Sequence, residues 1–206
     1  MIVPERVCTS RLLLRPWRAE DAPSLLPVLE SKQPHLTPWI PPRVSEPVAA
    51  PLLARRLDAF GADFAAAREW RYGLFTPAED EVIGEVGLYP RNAERRVPHS
   101  EADRVEIGYW LRSDLTGRGL ATEAVQAVLA IAHTLRGITL VEIRCDARNA
   151  SSAAVPRRLG FTLAETLEER SGTPEAPPIA LQVWTYNHGH HQADDHALHD
   201  HRTLPE

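Results

Sequence analysis

The apolar positions of the chain change their period several times, and each change marks an element. "RLLLRPW" (Arg11 to Trp17) is a short apolar run stopped by Pro16 and predicts a strand, while "RAEDAPSLLPVLES" behind it opens with acidic residues that favour a helix start. In "PLLARRLDAFGADFAAA", Leu52, Leu53, Leu57 and Phe60 fall at helical spacing and predict a second, amphipathic helix. "WRYGLFTP" and "EVIGEVGLYP" run or alternate apolar between turn residues, which gives two strands joined by "AEDE", and "DRVEIGYWLR" (Asp103 to Arg112) gives a third. From Leu120 onward, Ala121, Ala124, Val125, Val128, Leu129, Ala132 and Leu135 form one helical stripe that Gly137 stops. "TLVEIRCDA" reads as a strand, "NASSAAVPRRLG" as a short helix opening on cap-type residues, and "FTLAETLEER" and "PIALQVWTY" as two closing strands.

Two stretches carry no such period. "QPHLTPWIPPRVSEP" holds Pro34, Pro38, Pro41, Pro42 and Pro47, so an ordered loop around Trp39 without a regular element is expected there. "RNAERRVPHSEA" is polar and irregular, with Arg95 and Arg96 read as a solvated turn. The order of elements is therefore strand, two helices, three strands, helix, strand, helix, two strands. Residues 1–186 are expected to form one mixed α/β domain, and 187–206 a mobile tail holding six of the nine histidines and almost no apolar pattern.

Length agrees with one domain: 206 residues fall in the common single-domain range. The formal charge of -5, from 23 basic and 28 acidic residues, gives no global electrostatic reason to expect nucleic acid or an anionic membrane as a partner. Cys8 and Cys145 are too few for a disulfide scaffold and match no zinc spacing, so both read as reduced thiols of a cytoplasmic protein. The opening "MIVPERVCTSRLLL" lacks the pattern of a signal peptide, and no apolar run has transmembrane length. The histidine run could hold nickel or zinc weakly, but its spacing fixes no geometry, and no metal site is expected.

The chemistry concentrates between the third strand and the long helix. "SDLTGRG" aims unpaired backbone N–H groups at the start of a helix, an arrangement suited to an anion. Gly117 and Gly119 let a phosphate approach the backbone, and Arg118 adds charge at the rim. A P-loop would need lysine and then serine or threonine after the second glycine, where Leu120 and Ala121 stand. A dinucleotide loop would want glycine or alanine where Thr122 stands, though Asp146 ends the next strand where a ribose-binding acid could sit. A plain turn is the third reading.

"EIGYWLRSDLTGRGLATEAV" resembles the acetyl-coenzyme A motif of the GNAT acetyltransferases, whose pyrophosphate loop is Gln or Arg, two residues, Gly, one residue, then Gly or Ala. Here that frame is Thr116, Gly117, Arg118, Gly119, Leu120 and Ala121, with Thr116 departing from the pattern. "TSRLLLRPWRAEDA" resembles the opening of the RimJ/RimL-type branch, and "NASSAAVPRRLGF" its later segment of Asn, Ser, Val and LGF. The resemblance implies a single GNAT-type domain with a central, mostly antiparallel sheet of about seven strands flanked by about four helices. It also implies acetyl transfer from acetyl-coenzyme A, with no metal, to a primary amine, either a peptide N-terminus or a small molecule. The protein would be a monomer or a homodimer.

By the same resemblance the strand before the loop splays, and Tyr109, Trp110 and Leu111 receive the pantetheine arm and the oxyanion. Thr116 to Thr122 take the pyrophosphate. Asn149 contacts or orients the pantetheine, and the Ser152 hydroxyl can protonate the leaving thiolate. Glu106 is the expected base because it shares its strand face with Gly108 and Trp110, with Glu85 on the neighbouring strand in reserve. Trp39 is expected to wall the acceptor site. Solvated or capping roles compete for Glu106, Asn149 and Ser152, and a non-catalytic coenzyme A-binding or interaction module on the same fold is the alternative function.

Overall fold

The structure, a computed structural model, describes residues 3–169 and 178–187. Its strands are β1 (Val7–Cys8), β2 (Leu13–Pro16), β3 (Trp70–Phe75), β4 (Val82–Arg91), β5 (Arg104–Leu111), β6 (Leu140–Asp146), β7 (Thr162–Glu169) and β8 (Ile179–Asn187). They form one sheet in the order β1-β2-β3-β4-β5-β6-β8-β7. Every pairing is antiparallel except β5 with β6. The helices are α1 (Ala22–Leu36), α2 (Pro42–Ser45), α3 (Ala50–Ala65), α4 (Leu120–Ala132) and α5 (Ala150–Arg158).

The runs of apolar residues in β2, β3 and β4 arise because both sheet faces are covered. Alternate residues of a strand point to opposite faces, so Leu14, Tyr72, Val86 and Ile107 go to one core, where Ala124, Val125 and Val128 of α4 cover them. Leu13, Phe75 and Trp110 go to the other, against Leu25 and Leu29 of α1 and Leu53 and Leu57 of α3. That second cover stops short of β6. Along β3 to β6 the same face carries Arg71, Glu85, Arg91, Glu106, Glu142 and Arg144, a band of mixed charge on the sheet floor.

The mixed α/β class agrees with the sequence, but the described residues hold eight strands and five α-helices. The additional strand, Val7–Cys8, is too short to show a period. The proline-rich stretch is not devoid of regular structure: α1 runs on through Pro34 to Leu36, and α2 forms one turn with Pro42 in its first turn, where a missing N–H costs nothing. The helical stripe also ends early, since α4 stops at Ala132 and Leu135 reaches the core from the turn that follows. β8 takes in Asn187, while the rest of the expected tail, with its histidine run, lies outside the described residues. No helix among the described residues is long and apolar enough to cross a membrane.

Candidate active site

After β5, a short 3-10 turn at Ser113–Leu115 leads into the glycine loop. Gly117 and Gly119 both take left-handed backbone, with φ of 75° and 80°. An L-residue there would cost roughly 1–2 kcal/mol, which explains the two glycines. Gly119 is the N-cap of α4, and no side chain caps it. The first helical hydrogen bond runs from Glu123 N to Gly119 O at 3.1 Å, so the N–H groups of Leu120, Ala121 and Thr122 lie ahead of the helical ladder. The Thr122 hydroxyl is buried and has no partner among the described residues. Three free backbone N–H groups at a helix start, on a loop that also carries Arg118, fit a pyrophosphate. Thr116 contributes otherwise: its hydroxyl donates to Ser113 O at 2.8 Å and is spent on shaping the turn.

The sheet opens beside this loop. β5 pairs with β4 from Arg104 to Leu111, but with β6 only from Arg104 to Ile107. Beyond that point β6 stays with β8 as far as Asp146, and the stretch Gly108 to Leu111 has no strand on that side. A slot through the sheet results, and it belongs to a cavity of about 780 Å³ lined from both faces. On one face of the slot the Tyr109 hydroxyl lies 3.1 Å from the Ser152 hydroxyl and donates to Ser152 O at 2.9 Å. Ser152 is held by Asn149, whose Oδ1 caps α5 by accepting from Ser152 N at 3.0 Å. Burial raises the Tyr109 pKa above the ordinary phenol value against the opposing effect of the Ser152 bond, so Tyr109 stays protonated. Cys145, on the same wall, is buried and its thiol is likewise pushed up by burial.

Glu106, Trp110 and Glu85 line the cavity from the other face. Both oxygens of Glu106 accept from guanidinium groups, Oε2 from Arg91 and Oε1 from Arg96, each at 2.8 Å. Arg91 also lies 3.5 Å from Glu142, which binds Arg104 and Arg144. Glu85 is deeply buried and accepts from Trp17 Nε1 at 2.8 Å and Arg71 Nη1 at 2.9 Å. Burial opposes the Arg71 charge, but Glu85, Tyr89 and Glu69 outweigh it and hold the guanidinium protonated. The indole N–H of Trp110 is buried without a partner among the described residues. Trp39, on the segment between α1 and α2, is half-exposed at the cavity rim.

The structure thus brings Glu106, Glu85, Trp39, Tyr109, Trp110, Asn149 and Ser152 to one cavity. Leu111, at the end of the unpaired stretch, and Leu120 are core residues, so only their backbone can serve. Sequence reasoning missed three contributors. Tyr109 was expected only for its backbone, although its odd position in β5 sets the phenol on the face of α5. Arg91 and Arg96 were missed altogether. Arg96 is solvent-exposed, as expected, but it also binds Glu106 and stacks 3.9 Å from the Tyr89 ring centroid. Asp146 is engaged by Arg148 at 2.6 Å rather than presented free for a ribose. No group of three or more potential metal ligands occurs among the described residues.

The chain matches the acetyltransferase (GNAT) domain family over residues 11–162. It is 26% identical over 156 residues to the [Ribosomal protein uS5]-alanine N-acetyltransferase of Escherichia coli (strain K12), covering 76% of this chain and 77% of that protein. YjcK of Bacillus subtilis (strain 168) is 27% identical over 107 residues, and there the match spans 52% of this chain and little more than half of the relative, 56%. Among solved structures, RimL, a ribosomal L7/L12 alpha-N-protein acetyltransferase in complex with coenzyme A, superposes with a TM-score of 0.72 at 18% identity, covering 91% of this chain and 98% of RimL. That likeness is one of fold.

Proposed function

The chain belongs to the GNAT acetyltransferase family, and from that premise we propose that it is an acetyl-coenzyme A-dependent N-acetyltransferase of the RimJ/RimL-like branch, transferring acetyl to a primary amine in a ternary complex. The observation that carries the reading is the slot between β5 and β6, with hydroxyl donors on one face and a carboxylate on the other. Acetyl-coenzyme A, when bound, supplies an activated acetyl thioester. The backbone of Gly117 to Thr122, the Thr122 hydroxyl and Arg118 hold the pyrophosphate, and the unpaired stretch Tyr109 to Leu111 with Asn149 holds the pantetheine arm.

The free amine attacks the thioester carbonyl from the Glu106 side. Backbone N–H groups of β5 carry the charge that develops on the carbonyl oxygen. As the carbon–sulfur bond breaks, the Ser152 hydroxyl gives its proton to the thiolate and recovers the one the attacking nitrogen releases, through solvent, while Tyr109 stays neutral and orients Ser152 by their hydrogen bond. The amine is free because Glu106 has first taken a proton from the incoming ammonium. Because Arg91 and Arg96 already occupy one lone pair on each oxygen, Glu106 receives it at a remaining lone pair or through a water. Glu85 and Trp39 shape the acceptor wall, and Trp110 offers its N–H to the acceptor.

Two of the proteins named above are a ribosomal protein uS5-alanine N-acetyltransferase and a ribosomal L7/L12 alpha-N-protein acetyltransferase, which makes a peptide N-terminus the first acceptor to try and small amines the second. We place the reaction in the cytoplasm and in the domain that ends with β8, and propose that residues 188–206 are dispensable. A thiol-release assay with acetyl-coenzyme A over peptides, polyamines and aminoglycosides tests it. Release dependent on one acceptor class supports the reading, whereas coenzyme A binding with no acceptor-dependent release would favour a non-catalytic binding module.

A further inference from the structure

The N-terminal turn Thr9 to Arg11 lies far in sequence from the glycine loop, yet it converges on Glu123, in the first turns of α4. Glu123 Oε1 accepts from Thr9 Oγ1 at 2.6 Å, Ser10 Oγ at 3.0 Å and Arg11 N at 2.9 Å. Its Oε2 accepts from Arg11 Nε, and Arg11 Nη2 is also at 2.6 Å. The remaining nitrogen of the same guanidinium, Nη1, donates to Arg118 O at 2.8 Å. One planar fork therefore ties a carboxylate of α4 to the carbonyl that stands between the two left-handed glycines.

The peptide plane turns this tie into a directional constraint. In a trans peptide the carbonyl and the following N–H point in opposite directions. Fixing Arg118 O toward Arg11 therefore aims the Gly119 N–H away from Arg11. That N–H joins those of Leu120, Ala121 and Thr122, which also precede the helical ladder. Little else restrains the loop: Thr116 to Gly119 are all exposed, and the Cβ position at Gly117 has no atom within 4 Å. Charge disfavours the simpler idea that Arg11 is itself a phosphate ligand, because its Nε and Nη2 both lie on Glu123 Oε2, which neutralises it.

We propose that Arg11, latched to Glu123, is a positioning residue of the coenzyme A site: it presets the Arg118–Gly119 peptide so that the pyrophosphate meets oriented donors and need not order the loop itself. This rests on the reading of the glycine loop as the pyrophosphate site. The test is calorimetric binding of coenzyme A to wild type, Arg11→Lys, Glu123→Gln and the double variant, each checked for folding by its melting curve. Arg11→Lys keeps the charge but loses the fork. Each single variant should weaken coenzyme A about tenfold, and the double variant no more than either, as for two halves of one device.

Dephospho-coenzyme A, which retains the pyrophosphate, should show the same loss. A loss confined to full coenzyme A would place Arg11 at the 3′-phosphate and overturn the proposal. So would folded variants that bind like wild type, or that lose melting temperature alone. Wild type that binds no coenzyme A would instead remove the pyrophosphate reading and the latch with it. Should Glu123→Gln fail to fold, the milder Arg11→Lys still decides.

Discussion

Glu85 offers a direct measure of what the charged sheet face contributes. Its carboxylate side chain is 5% exposed and the facing Arg71 side chain 2%. Glu85→Ala leaves Arg71 buried with Glu69 as its remaining carboxylate and strips Trp17 Nε1 of its acceptor. Breaking a buried ion pair from one side costs about 3–5 kcal/mol, and an orphaned buried N–H about 1–3 kcal/mol. The terms overlap, so about 4 kcal/mol is the expectation. For a chain of this length each kcal/mol lowers the melting temperature by about 2–4 °C, which predicts a fall of about 8–16 °C. Glu85→Gln keeps the indole acceptor and should lose about half as much. Joint replacement, Glu85→Leu with Arg71→Met, should recover most of the loss by removing both charges. Urea unfolding of the three variants is the assay. A Glu85→Ala variant within about 1 kcal/mol of wild type would show that the bonds are not made in solution, at a cost to the buried-pair reasoning. If instead Glu85→Gln folds normally but loses turnover more than Glu106→Gln does, Glu85 and not Glu106 takes the amine proton.

Gly119→Val, at φ 80° and with Arg11 Nη2 3.5 Å from the Cβ position, should weaken coenzyme A at least about tenfold, equivalent to about 1.4 kcal/mol; titration of the folded variant checks it. Glu106→Gln should lower kcat by about 10²–10⁴ with coenzyme A affinity kept, and the loss should shrink as pH rises and free amine accumulates. Ser152→Ala should lower kcat without that rescue, because deprotonating the amine does not supply the thiolate's proton, and pH–rate profiles separate the two. Burial opposes the Glu123 charge, but bonds from Thr9, Arg11 and Ser10 hold its pKa below the ordinary carboxyl value. Its contribution to stability is therefore complete above the unfolded-state pKa of about 4.3 and lost as pH falls through the lower folded value. Glu123→Gln, lacking both that stability and that titration, should accordingly begin acid unfolding at higher pH and with a shallower limb than wild type, and an identical acid limb would show that the folded-state bonds do not form.

Most of the fold was legible because burial on one face or two writes a period into the chain. The α4 stripe and the β3 and β4 runs each face a core, so their apolar spacing had a single reading. β1 and α2 escaped because elements of two and four residues are set by what they pack against. The glycine loop was legible because its left-handed backbone demands glycine at two fixed positions. The network around Glu106 was not, since its partner Arg96 comes from an irregular segment whose path the sequence does not specify. Tyr109 was misweighted for a related reason: attention to the strand's backbone hid the fact that alternation turns Glu106 and Tyr109 to opposite sides of the sheet.

The parting of β5 and β6 also has a mechanical side. Four residue pairs, Arg104 with Leu140 through Ile107 with Ile143, are all that joins the sheet's two halves edge to edge. Arg104 and Arg91 fasten that short seam to Glu142 from the β5 side. The ladders on either side of it run longer, with β6 and β8 paired over seven residues and β4 and β5 over eight. Local opening follows the weakest cooperative boundary. Amide hydrogen exchange should then divide the domain into β1 through β5 and β6 through β8, each protected as a unit, with neutralisation of Glu142 lowering the free energy of their separation more than it lowers that of either half.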